Sequence, residues 1–169
     1  MKYGWRWHTV ADWLQNTDPI RGAEIGVKEG RFIAHLLRQY PRLEMYAVDR
    51  WAPDPTGNET YTEWNWPDIY ATYRQAIRPH EFRVIEFRES SVNAAKMVAN
   101  YSLDFVFIDA QHDYKSVRDD ILAWRPKVKP GGLLCGHDYQ PNFPGVVRAV
   151  DELISEPIFG VQTVWGKWV

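Results

Sequence analysis

With one cysteine in 169 residues the chain has no disulfide to build with, and Cys135 ends an apolar run where it packs as a small hydrophobe. That lone thiol, with no signal-peptide pattern, points to a reducing, cytoplasmic setting. No apolar stretch approaches the ~20 residues of a membrane span, so no membrane partner is expected. Basic charge is not in excess. Twenty Lys and Arg against 22 Asp and Glu give a net charge of −2 and no basic stripe, so no nucleic-acid partner is expected either. Internal repeats, low-complexity tracts and the G-x-G-x-x-G turn that cradles a dinucleotide phosphate are also missing. Aromatics, by contrast, are plentiful. Nine tryptophans and nine tyrosines, several in loop-like segments and interleaved with acids, suit a wall for a small organic substrate better than a base-stacking platform.

Length alone favours a single domain over 1–169, with an N-terminal helical segment at 1–19. Strand and helix signals then alternate. Helical spacing marks His8–Gln15, with Asp18-Pro19 as a stop. Gly22–Val27 reads as the first strand, Arg31–Tyr40 as a helix closed by Pro41, and Leu43–Val48 as the second strand. Residues 50–66 break the rhythm with Pro53, Pro55, Gly57 and the aromatics Trp51, Tyr61, Trp64 and Trp66. A loop of that kind reads as a lid or substrate wall rather than a satellite core. Pro67 opens a helix over Asp68–Arg78. Phe82–Phe87, Leu103–Ile108 and Gly132–Cys135 are further strands, the last preceded by a Pro130-Gly131-Gly132 turn. Ser91–Asn100, Tyr114–Trp124 and Gly145–Ile154 are helices, and Phe159–Val164 with Lys167–Val169 form a closing hairpin around Gly166. The acid pairs Asp119/Asp120 and Asp151/Glu152 fall on helices and read as solvated faces. The whole pattern predicts an α/β, Rossmann-like, mostly parallel seven-stranded sheet with helices on both faces and a C-terminal antiparallel hairpin.

Two stretches carry the chemistry: Phe107-Ile-Asp-Ala-Gln-His-Asp-Tyr114 and Cys135-Gly-His-Asp-Tyr139. If the strands before them are parallel neighbours, Asp109, His112, His137 and Asp138 emerge at one edge of the sheet, where sites form. The turn Ala23–Gly30 has Glu24 where a phosphate-binding turn has its first glycine. A carboxylate there repels phosphate and suits a ligand's ammonium instead. Asp49, ending the second strand, can accept both hydroxyl protons of a ribose. Amino acid plus ribose is the outline of S-adenosylmethionine. A nicotinamide-dependent oxidoreductase is the weaker reading, because Glu24 and the missing glycine pair oppose it. A nucleoside-binding module without chemistry stays open.

Glu24-Ile-Gly-Val with Gly30, Tyr46-Ala-Val-Asp49, Leu103-Asp-Phe-Val-Phe-Ile-Asp109 and Lys129-Pro-Gly-Gly132 resemble, in order and spacing, the motifs of class I S-adenosylmethionine-dependent methyltransferases over residues 20–169. The runs Ile108–Tyr114, Gly136–Tyr139 and Phe143–Val150 are similar to a narrower branch, the metal-dependent O-methyltransferases of macrolide sugars, and more distantly to the catechol-type enzymes. The resemblance implies S-adenosylmethionine as cofactor, S-adenosylhomocysteine as product, a divalent metal, and a small-molecule hydroxyl acceptor such as a sugar or polyol. It implies that Glu24 faces the methionine ammonium. Gly26 would let the methionine part approach the backbone, with Gly30 in the same cofactor-binding turn. Asp49 would hold the ribose, and Ser90 and Ser91 would border the adenine. Asp109, His137 and Asp138 would hold the metal, Asp109 also standing beside the cofactor, and His112 would be the general base. One departure bears on the metal. The sugar enzymes carry two acids at the last pair, whereas here His137 precedes Asp138, and imidazole suits zinc, iron or manganese better than magnesium. The chain is short for this fold, which leaves room for a homo-oligomeric partner to help enclose the substrate.

Overall fold

The computed structural model describes residues 5–53 and 64–169. Seven strands form one sheet: β1 (Arg21–Ile25), β2 (Glu44–Val48), β3 (Val84–Phe87), β4 (Leu103–Ile108), β5 (Val128–Gly136), β6 (Ile158–Phe159) and β7 (Trp165–Trp168). Their order is β3-β2-β1-β4-β5-β7-β6. The first five are parallel, while β7 runs antiparallel to both β5 and β6. The class expected from the sequence is the one observed. Because β1 pairs with β2 on one side and β4 on the other, the chain leaves these central strands in opposite directions, opening a crevice at their carboxyl ends.

Helices α1 (Arg6–Leu14), α2 (Arg31–Gln39) and α3 (Trp66–Ile77) cover one face, and α4 (Ser91–Lys96), α5 (Tyr114–Trp124) and α6 (Pro144–Leu153) the other. Strand β4 explains why both faces need cover. Its alternate residues Phe105 and Phe107 enter the first core with Phe32 and Leu36, while Val106 and Ile108 enter the second with Ile121 and Trp124. A strand buried on both sides reads as an unbroken apolar run, which is how Leu103–Ile108 appears in the sequence. Helix α5 starts where it does because the Asp113 carboxylate accepts the Ser116 N–H at 3.0 Å.

Three expectations are corrected. Pro130-Gly131-Gly132 is not a turn before β5 but part of it: the register slips between Leu103↔Val128 and Phe105↔Leu133, and that irregularity accommodates the proline. Gly166 is not the hairpin turn. It sits inside β7 opposite Ile158 and Cys135, where an added Cβ would lie 2.7 Å from the Trp13 ring of α1, and the chain reverses between Gly160 and Val164 instead. Trp51 belongs to the core rather than to a lid. It is 3% exposed, stacks on Tyr73 at 4.4 Å and donates its indole N–H to the Lys28 carbonyl at 2.8 Å. Tyr61, read with it, lies outside the described residues. Among the described residues no helix is long and apolar enough to cross a membrane.

Candidate active site

A cavity of about 800 Å³ opens at the carboxyl edge of the sheet, within the ~300–1,000 Å³ usual for small-molecule sites. On its floor, Gly26 follows β1 with φ +86°, and an added Cβ would stand 2.2 Å from the Asp109 carbonyl oxygen. Only glycine lets the ends of β1 and β4 approach so closely. Asp49, after β2, lies on the same wall. One of its oxygens accepts the Lys28 N–H and the other the Trp51 N–H, both at 2.8 Å. The Val27 and Arg50 amides also face the carboxylate. Burial pushes the Asp49 carboxyl up, against the pull of the surrounding amides.

Glu24 and Gly30 lie behind this wall rather than on it. Glu24 is 1% exposed and accepts the Ile33 N–H at 3.1 Å, so it satisfies one of the open amides at the start of α2. Burial pushes its carboxyl well above the usual range, with Arg6 drawing it down and Asp109 pushing it further up. One oxygen of the carboxyl expected to meet a ligand ammonium is thus bonded to the start of α2. Gly30 caps α2 with φ +75°, in a position where a Cβ would stand 2.8 Å from the Tyr73 ring.

Ser90 and Ser91 line the far end of the cavity, where the Ser91 hydroxyl accepts the Trp124 indole N–H at 2.8 Å. Asp120 joins them there, and the expectation of a solvated face is wrong for it. It is 5% exposed on the stripe of α5 that also buries Val117, Ile121 and Trp124. Burial pushes its carboxyl up to about 7, offset in part by the Ser91 hydrogen bond. Of the loop aromatics, Trp64 and Trp66 do line the cavity, with the Lys28 ammonium 3.8 Å above the Trp64 ring.

Opposite stands the acid–imidazole cluster. Because Ile108 pairs with Gly136 in parallel register, the residues that follow β4 and β5 emerge side by side, and the His137 N–H donates to the Ile108 carbonyl at 3.0 Å. Asp138 then turns the chain with φ +60°. His137 Nδ1 lies 3.5 Å from Asp109 Oδ1 and 3.3 Å from Asp138 Oδ1, and His112 Nε2 lies 2.8 Å from Asp138 Oδ2. The His112 ring also stacks on Phe143 at 4.4 Å. Burial alone would lower the His137 pKa, but its bonds to Asp109 and Asp138 outweigh that and raise it to about 9. Burial likewise disfavours the Asp138 carboxylate, yet His112 and His137 hold its pKa well below the usual range.

The residues fit a divalent ion. Asp109, His137 and Asp138 each offer one donor atom, all within 4.8 Å of one another. Two carboxylates and an imidazole suit manganese, iron or zinc, with the imidazole proton lost on binding. Sequence reasoning missed Arg6, whose Nε stands 2.9 Å from Asp109 Oδ2 inside the cavity. No local signal links a residue of α1 to one after β4.

A family model described as "Methyltransferase domain" matches residues 23–139. A protein of Sinorhizobium fredii (strain NBRC 101917 / NGR234), described as uncharacterized protein y4gI, is 25% identical over 124 residues; the match covers 73% of this chain but only 12% of that protein. Among solved structures, the O-methyltransferase NovP superposes with a TM-score of 0.70 at 18% identity over 96% of this chain and 76% of its own. CalS11, a TDP-rhamnose 3'-O-methyltransferase of calicheamicin biosynthesis, gives 0.64 at 15% identity over 94% and 77%. At such identities these structures speak for the fold alone, and the family match sets aside the oxidoreductase reading. The chain belongs to the methyltransferase-domain family and has the class I S-adenosylmethionine-dependent methyltransferase fold.

Proposed function

We propose that the chain transfers a methyl group from S-adenosylmethionine to a hydroxyl of a sugar or similar small polyol, assisted by a divalent metal, with His112 as general base. One observation carries the reading. A ribose-type acceptor, Asp49, and an acid–imidazole cluster that fits a metal lie on the walls of one cavity at the sheet's topological switch. The relatives named for O-methylation, one of them acting on a TDP-rhamnose, are consistent with it.

S-adenosylmethionine supplies an already activated methyl group, and a metal held by Asp109, His137 and Asp138 would stabilise negative charge on the acceptor oxygen. The chain does the rest. Asp49 accepts the ribose hydroxyls, Ser90 and Ser91 border the adenine, and Gly26 lets the methionine part reach the backbone. Glu24 supports that turn from behind by holding the start of α2. Fixing the acceptor oxygen in line with the methyl group can supply ~7–11 kcal/mol of the barrier. His112 takes the hydroxyl proton, and the Asp138 oxygen 2.8 Å from its Nε2 stabilises the imidazolium that forms.

A second reading, a module that binds the nucleoside without methylating, has one observation in its favour: Arg6 and His137 already pair with the carboxylates. A turnover screen over sugar and polyol acceptors, with and without a chelator, separates the two. Methylation that falls with chelation, and falls again in Asp138→Asn, supports the enzyme reading. Turnover indifferent to chelation removes the metal, and cofactor binding without turnover on any acceptor favours the module.

A further inference from the structure

Arg6 is the first residue of α1, at the positive end of the helix dipole, where a cation is disfavoured. The helix does not need it for docking. Val10, Ala11 and Leu14 bury against the first core, and the Tyr40 hydroxyl donates to the Ala11 carbonyl at 2.8 Å. The side chain instead enters the cavity, where its Nε approaches Asp109 Oδ2 at 2.9 Å and its charge also reaches Glu24. Asp109 is at the same time one of the three donors that fit a divalent ion. With an ion bound, one carboxylate would therefore face two cations that repel each other at short range in a partly buried site.

We infer that Arg6 is an internal counter-cation that competes with a divalent metal ion for Asp109, so that entry of the ion releases Arg6 and loosens the first turn of α1. The inference rests on the metal reading of the cluster. Without an ion, the guanidinium neutralises Asp109 and keeps the site assembled. With one, Arg6 loses its carboxylate partner while remaining at an unfavourable helix end, so α1 senses occupancy of the site.

Manganese(II) affinity, measured by calorimetry at fixed pH and ionic strength on the full chain, tests this directly. Arg6→Gln keeps the bulk and removes the charge, and should bind manganese about 5- to 150-fold more tightly, the usual size of coupling between linked sites. Arg6→Lys keeps the charge and should stay close to the parent affinity, which also separates a charge effect from damage to α1. Hydrogen exchange over residues 5–14 should rise on manganese addition in the parent chain and not in Arg6→Gln. Equal or weaker binding by Arg6→Gln, with measurable binding in the parent, overturns the competition and leaves the metal site standing. No manganese binding by any of the three chains overturns the metal reading, and the competition with it.

Discussion

Replacing Asp120 with asparagine removes a carboxyl that the fold holds protonated well into the neutral range. Burial raises it from an ordinary 3.8 to about 7. Asp119 on its own helix and Asp113 at that helix's N-cap push in the same direction, while Ser91 of α4 and Arg50 after β2 draw it back. Between pH 4 and 7 the folded chain therefore keeps a proton that the unfolded chain has released. Stability must fall as pH rises through that window, because the folded state binds more protons there. A gap of about three pH units, at ~1.4 kcal/mol each, amounts to about 4 kcal/mol by pH 8. Asparagine has no such dependence and retains similar size and polarity. Urea denaturation of both chains at several pH values between 4 and 8 isolates this group, since titrations that do not depend on the Asp120 charge cancel in the difference. The variant should gain on the parent by about 4 kcal/mol across the range, whatever its offset at pH 4. A constant offset from pH 4 to pH 8 would refute the buried, protonated Asp120.

Two further outcomes follow from the site and the core. His112→Ala should lower turnover by ~10²–10⁴ with cofactor affinity nearly unchanged, and an unaltered rate would remove it as the base. Trp51→Ala should destabilise the fold by ~3–5 kcal/mol in urea, as loss of a buried aromatic does; unchanged stability with a raised KM would return Trp51 to the role of substrate wall.

Much of this fold is legible in the sequence because local signals and tertiary packing agree. Leu103–Ile108 and Tyr114–Trp124 have the bounds read from the apolar run and from the helix-length segment that Pro126 closes. Asp109, His112, His137 and Asp138 come together because two parallel neighbours end level with each other, and the order of strand and helix signals already implies that pairing. What escaped depends on distant partners. Gly166 and Pro130 carry turn chemistry in isolation, yet the sheet and Trp13 decide their setting. Trp51 sits in a loop by sequence, but Tyr73 on α3 draws it into the core. Asp120 was readable after all: Val117, Asp120, Ile121 and Trp124 share one helix face, and the apolar spacing includes the acid. Arg6 left no trace short of the folded chain.

The most direct test is a crystal structure with S-adenosylhomocysteine. The ribose hydroxyls should lie within hydrogen-bond distance of the Asp49 carboxylate, with the adenine beside Ser90 and Ser91 and the sulfur directed toward Asp109 and His112. A ligand that fails to bind, or that settles instead in the cavity of about 520 Å³ between Tyr139 and Glu152, would contradict the assignment of the site.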